Sequence, residues 1–416
     1  MTKIKDILSI HLEEDIKSVI DLNQQDEQSV IDELDGFILT ESLAKHLADF
    51  CDFYTSNTAQ PGLWLSGFYG SGKSYFSKMI GFLLKNPTIK GTSIHDRFAN
   101  KLIGLPNASL LQNSINELGR TKNNIVLFDA AKTTGNHGIS YMMMGAFLKS
   151  LNLNDDWVGI VEFNLLMSGR YQQFCDKVQQ KFGEAWLKRR KNMDQVYDTL
   201  EDTMLDGFCS ESAYDEMQRI QDYDANKLQE DLTRYLDQNQ DIRIVFMIDE
   251  VSEAIAQQKI NILDLEGMAE AIAALGRKIW TIAIAQLQLD DVINGTNVNR
   301  SLLTKIIDRF RKRIPIAAEE VDTIIRKRLL AKTAEGNDQL QAYYKKKSGQ
   351  ISDITNIVGT GLNKTTDAQT YADYYPFYEH QFKMLQYFLF GTQKLVKTQV
   401  GTRGMLISAF DVLKKE

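Results

Sequence analysis

Four apolar runs that barely alternate constrain this chain more than anything else in it. They are GLWLS (62–66), NIVLFDAA (124–131), IRIVFMID (242–249) and KIWTIAIAQ (278–286), with a shorter fifth, RIPIA (313–317). A strand with one face in water alternates apolar and polar residues, whereas one that is apolar throughout is covered on both faces, as in a parallel sheet. Segments with helical spacing separate the runs, among them ISYMMMGAFLKSLNL (139–153) and LDLEGMAEAIAALG (263–276). Strands alternating with helices predict an α/β fold, a doubly wound parallel sheet.

The first run leads into GFYGSGKS (67–74), and a helical stretch from Tyr75 to Leu84 leads out of it. Gly67, Gly70 and Gly72 allow positive φ and close backbone approach to a ligand. The spacing is G-x-x-x-x-G-K-[ST], the phosphate loop, in which successive backbone N–H groups wrap phosphate oxygens. The lysine reaches the β- and γ-phosphates and the hydroxyl ligates Mg²⁺. The helix that follows adds the positive end of its dipole. ATP and Mg²⁺ are therefore the expected cofactors. The expected nucleotide contacts are Gly67, Tyr69, Gly70, Ser71, Gly72, Lys73, Ser74 and Tyr75, with Ser74 also a metal ligand. A chance glycine-rich turn is the competing explanation, and a strand before and a helix after it argue against that.

The third run ends in Asp249-Glu250. Ligands of open parallel sheets sit at the carboxyl ends of strands. There Asp249 is expected to hold Mg²⁺, and Glu250 to orient and polarise the attacking water. Gln286, at the tip of the fourth run, is placed to bond the γ-phosphate or that water. Arg309 and Arg311 end the helix before the fifth run, where an arginine of a ring ATPase reaches the γ-phosphate of the neighbouring subunit. Arg403 starts a C-terminal helix, the position of a lid arginine. Two acids leaving a strand and a surface basic cluster are the bland alternatives.

About a hundred residues separate the second and third runs, where a crossover needs only a dozen or more. The segment at about 155–240 is charged, proline-free and helical in pattern, and it is expected to be an insertion in the core. Residues 1–60 are expected to form a helical region, with Thr40 as N-cap of ESLAKHLADFCDFY. The core is expected over 61–320 and a helical lid over 321–416. GNDQ (336–339) and GTGLNKTTDAQT (359–370) are expected to be loops.

With 416 residues, 43% of them hydrophobic and 25% charged, the chain has the composition of a globular protein. No apolar run is long enough to span a membrane. The N-terminus lacks the apolar core of a signal peptide. Cys51, Cys175 and Cys209 lack metal-ligand spacing and are expected to be reduced thiols in a cytoplasmic protein. A net charge of −7 leaves no global field for nucleic acid. The basic clusters at 187–191, 309–313, 326–328 and 345–347 are more simply solvated helix faces than DNA contacts.

Phosphate loop, Asp-Glu strand, polar strand tip, arginine before a fifth strand and arginine in a helical lid, taken in that order, resemble the AAA+ class of ATPases. A strand lying between the phosphate-loop strand and the Asp-Glu strand separates this class from kinase-like phosphate-loop proteins. A closer resemblance is to the BrxC family of P-loop ATPases of BREX phage-defence systems. WLSGFYGSGKSYFSKM, ELDGFILTESLAKHLADFCDFY, VFMIDEVSEAI, IIRKRLLAK and YYPFYEHQF carry it, and the phosphate loop with its Phe68-Tyr69 is the most specific part. That resemblance implies a cytoplasmic, homo-oligomeric ATPase working with other BREX components, a methyltransferase and a phosphatase-like protein, and with DNA directly or through them. Family members are much longer, so the chain is expected to be an N-terminal ATPase part. Gly67, Gly72, Lys73, Ser74, Asp249 and Glu250 carry over to the family's motifs. Two other readings stand beside it: a nucleotide-gated scaffold with little turnover, and a DNA translocase, against which the acidic balance and the lack of a helicase-type motif set argue.

Overall fold

The computed structural model describes residues 3–9, 26–58, 60–67, 71–132, 138–204, 207–208, 217, 223–295, 304–316, 321–359, 361–362, 364–391 and 402–415. The five apolar runs form the five strands of one sheet: β1 (Gly62–Ser66), β2 (Lys122–Asp129), β3 (Ile242–Asp249), β4 (Ile279–Ala285) and β5 (Lys312–Pro315). All neighbours pair in parallel, in the order β2-β3-β4-β1-β5. β4 thus lies between the phosphate-loop strand and the Asp-Glu strand. All five strands end on one edge, so the residues that follow β1, β2, β3 and β4 gather there.

The lack of alternation in the runs has its cause in two separate cores. Ile244, Phe246 and Ile248 of β3 join Trp64, Val126 and Ala283 on one face. Val245 and Met247 join Leu63, Leu65, Ile282 and Ile284 on the other. The second face is covered by Glu41–Thr55, Lys73–Lys85 and Ala108–Leu118. Thr40 caps the first of these, its hydroxyl accepting the Leu43 N–H at 3.3 Å. Glu27–Gly36 is fastened to the phosphate-loop helix by a buried ion pair, Lys78 Nζ to Glu33 at 2.6 Å.

The first face carries Gly138–Ser150, Ile262–Ala273 and the insertion, whose described helices run from Trp157–Met167 to Ala225–Gln238. At the centre of the insertion is a fully buried carboxylate, Glu162. It accepts from Trp186 Nε1 at 2.6 Å, Arg190 Nη1 at 2.8 Å and the Asn154 amide at 2.7 Å. A buried charge is tolerated only when paired and hydrogen-bonded in this way. Arg189, also buried, bonds Thr199 and Asp198 and lies 3.9 Å over the Phe182 ring. The stretch at 187–191 is therefore only in part a solvated face: Leu187, Lys188 and Lys191 are exposed, while Arg189 and Arg190 are structural, since charge count in a sequence does not reveal an acid buried 28 positions away.

Three expectations are corrected, the first being that AQT (368–370), expected in a loop, opens the helix Ala368–Tyr374, capped by Asp367. Residues 4–9 do not belong with the helices at 27–55. Leu8 forms an antiparallel bridge with Lys332, Ser9 N donates to the Ala331 carbonyl at 2.8 Å, and Leu8 is buried with Leu329, Phe382 and Phe410 of the C-terminal helices. GNDQ is not a loop but the first turn of Ala334–Thr355. Thr333 caps that helix, accepting from the Gly336 amide. Gly336 is needed because a Cβ there would lie 2.7 Å from the Ile7 carbonyl oxygen. Among the described residues no helix is long and apolar enough to cross a membrane.

Candidate functional site

The turn after β1 is shaped by contacts that a side chain would block. Gly67 N–H donates to the Ala285 carbonyl at 3.1 Å. A Cβ on Gly67 would lie 2.6 Å from Ser71 Oγ and 2.7 Å from the Ile316 carbonyl oxygen. Gly72 adopts φ +90°, a left-handed conformation that favours glycine. Its carbonyl accepts the Phe76 amide at 2.8 Å, and Lys73–Lys85 begins. Tyr69 and Gly70 lie outside the described residues. Ser71 Oγ is buried with no hydrogen-bond partner among the described residues, a polar atom that a phosphate cradle would satisfy.

Lys73 is 4% exposed and stands 3.8 Å from Glu250 Oε1. Ser74, at the next position, hydrogen-bonds Asp249. The Asp249 carboxylate also accepts the Glu250 amide at 2.9 Å. Burial, then the Glu250 charge, push the Asp249 carboxyl up to about 6, while Lys73, Ser74 and the Glu250 amide pull it back. Glu250 itself sits at φ 56°, ψ 38°. That left-handed conformation is uncommon for a residue with a Cβ, and such outliers cluster at functional sites. It turns the chain sharply from β3 into Val251–Ala256 and aims the carboxylate along the edge.

Gln286 meets that carboxylate: its Nε2 donates to Glu250 Oε2 at 3.3 Å. Its backbone N–H donates to Ser252 Oγ at 3.0 Å, and Ser252 Oγ–H donates to Glu253 at 2.9 Å. Burial, then the neighbouring Glu250, push the Glu253 carboxyl up to about 7. Gly67, Gly72, Lys73, Ser74, Asp249, Glu250 and Gln286, named from the sequence, thus come together on one edge.

Other candidates lie elsewhere. The Tyr75 hydroxyl donates to the Glu33 carbonyl and its ring packs edge-on to Phe37 at 5.2 Å. Its side chain is committed to the Glu27–Gly36 helix and the residue that follows it. Arg309 is at the opposite edge: its carbonyl packs against Gly62, the first residue of β1, and Nη1 bonds Gln60 Oε1 at 2.6 Å. Five residues of strand put it roughly 16 Å from the phosphate-loop edge of its own chain. Arg311 pairs with Asp308 at 3.0 Å. Arg403 stands in the first turn of Thr402–Lys415, and its side chain lies outside the described residues.

Sequence reading missed Asp129 and Ser252. Asp129 ends β2 in register with Asp249, and its signal was an apolar run closing on an acid, as in β3.

The raised Asp249 carboxyl carries a prediction. An acid whose folded pKa lies above its unfolded value is destabilising when ionised: the penalty is absent below the unfolded value and complete above the folded one. Asp249→Asn should therefore stabilise the ligand-free protein above pH 6 by on the order of 1–3 kcal/mol, read as a higher melting temperature than the parent's. That gain should vanish near pH 4. A variant no more stable than the parent at pH 8 would show that the carboxylate is not electrostatically strained. No protein-family model matches the chain, so the functional reading rests on this edge of the sheet.

Proposed function

We propose that this chain is an AAA+-like, Mg²⁺-dependent ATPase. The observation that carries the reading is the convergence of Lys73, Ser74, Asp249, Glu250 and Gln286 from three separate strand ends. The placement of β4 between β1 and β3 supports the AAA+-like arrangement over the kinase-like one. The orphaned Ser71 hydroxyl, the side-chain-intolerant Gly67 and the buried Lys73 fit a triphosphate. Lys73 and the loop amides would hold its phosphates, and Ser74 and Asp249 the Mg²⁺. The metal ion would neutralise phosphoryl charge. Glu250 orients the attacking water and accepts its proton, and Gln286 holds the Glu250 carboxylate in place.

Arg309 is too far from its own loop to act there, which favours action on a neighbouring copy. The proposal then includes a homo-oligomer with shared sites. Hydrolysis per chain should rise steeply with protein concentration. Arg309→Ala chains mixed with Lys73→Ala chains should regain part of the activity each has lost, since some interfaces pair a sound loop with a sound arginine. A rate per chain independent of concentration, with no recovery in mixtures shown to co-assemble, would exclude the shared site.

The resemblance to the BrxC family extends the proposal to a cytoplasmic role in anti-phage defence, driving assembly or remodelling of a DNA-modifying complex. Stimulation of hydrolysis by duplex DNA would point instead to a translocase. A second reading, a nucleotide-gated scaffold with little turnover, is favoured by one feature: Glu250 is already engaged by both Lys73 and Gln286. A measured rate near zero at every concentration, with tight ATP binding, would select it.

A further inference from the structure

The tip of β2 carries a cation that the nucleotide reading does not use. Asp129 ends the strand, paired in register with Asp249 of β3. Its Oδ1 accepts the amides of Ala131 at 3.0 Å and Lys132 at 3.1 Å, folding the chain back over the strand end. The Ala130 amide is fastened to the Asp249 carbonyl at 2.9 Å, and Lys259 Nζ holds the Ala131 carbonyl. The backbone at 130–132 is thus tied to the strand that bears the acidic pair.

The Lys132 side chain is 83% exposed and its Nζ stands 2.9 Å from Asp129 Oδ2. It feels Asp129 first, and then the charges of Asp249 and Glu250. Two lysines of different kind therefore share the acidic edge, Lys73 in contact with Glu250 and Lys132 on the neighbouring strand tip, within reach of its charge. Lys73 is buried on the phosphate loop, and Lys132 is a solvated head on an anchored backbone. The lysine end of the pair is solvated, and Asp129, 15% exposed, keeps the amides of Ala131 and Lys132 when the ammonium leaves, so the exchange costs little. A terminal phosphoryl group reaching the acidic edge presents a denser negative charge.

We propose that Lys132 binds the terminal phosphoryl group of a nucleoside triphosphate, exchanging Asp129 for it and so distinguishing triphosphate from diphosphate. This rests on the reading of the edge as a nucleotide site. Lys73 serves both nucleotides, since it reaches the β-phosphate as well; Lys132 meets only the terminal group. Asp129 acts as a positioning residue: it sets the backbone of Lys132 and holds its head when the terminal group is absent.

The test is calorimetric binding of Mg-ADP and of a slowly hydrolysed Mg-ATP analogue to the parent, Lys132→Ala, Asp129→Asn and Lys73→Ala. Lys132→Ala should weaken the triphosphate about ten-fold, the worth of one charge-assisted hydrogen bond in a partly solvated site. Diphosphate affinity should stay within two-fold. Asp129→Asn keeps an oxygen for the two amides and removes the competing charge, so its triphosphate affinity should rise. Equal affinities in parent and Lys132→Ala, or a parallel fall for both nucleotides, would overturn the proposal. Failure of the parent to bind either nucleotide would overturn the nucleotide reading along with it. Loss on Lys73→Ala with no effect of Lys132→Ala would leave that reading standing and remove Lys132 from it.

Discussion

Lys73→Ala is expected to weaken ATP binding about a thousand-fold, through loss of charge-assisted contacts to two phosphate groups, while the fold survives. The side chain is buried at the strand-tip edge, and its charge is balanced there by Glu250 at 3.8 Å and by Asp249. Removing it leaves two carboxylates without their cation, which elsewhere in a protein would be costly. Here the cost is limited, because the Asp249 carboxyl already lies near 6 and takes up a proton readily once Lys73 no longer pulls it down. Far-UV circular dichroism should be unchanged, and calorimetry should show the loss for ADP as well as ATP. A variant that binds ATP as the parent does would remove the phosphate-loop assignment.

Glu250→Gln is expected to leave ATP binding intact and to lower hydrolysis by about 10²- to 10⁴-fold, the range for a lost general base. The two oxygens of Glu250 meet two donors, Lys73 Nζ and Gln286 Nε2. A glutamine has one oxygen to offer, so whichever donor faces its amide nitrogen loses its partner. The substitution thus removes the proton acceptor and also loosens one of the contacts that aim it. A pre-steady-state measurement should place the loss in the chemical step and not in binding. If Glu250→Gln turned over as fast as the parent, the base would lie elsewhere, and Glu253, held near neutrality by burial and by Glu250, would be next to replace.

What the sequence revealed, and what it hid, divides along the range of the interactions. β1 and β3 are legible to the residue, because burial on both faces forces short, nearly continuous apolar runs bounded by turn residues or acids. Gly67, Lys73, Asp249 and Glu250 are legible because a G-x-x-x-x-G-K-[ST] spacing and an acidic pair closing an apolar run can be read without knowing the fold. The commitment of the Tyr75 hydroxyl to Glu33 is not, since a tyrosine after a phosphate loop looks the same whichever way it points. Nor is the insertion: the burial of Arg189 and Arg190 depends on Glu162 and Asp198, pairings with no local signature. The first turn at 334–337 looks like a loop because Gly336 and Asn337 are poor helix formers. A capping threonine and the backbone of Ile7, more than three hundred positions earlier, decide otherwise.

That last contact has a consequence for how the chain is made. Ile7, Leu8 and Ser9 bond to residues 331–333, a separation of 322 positions for the Ser9 hydroxyl on the Ala331 carbonyl. At roughly 5–20 residues per second, the first of these residues leaves the ribosome tens of seconds before its partners exist. Through that interval Ile7 and Leu8 have no core to enter, while the phosphate-loop sheet can close as soon as residues 312–315 emerge. The helices around 321–415 are thus completed by a segment made more than three hundred residues earlier, and their packing must wait for a contact that closes a very long loop.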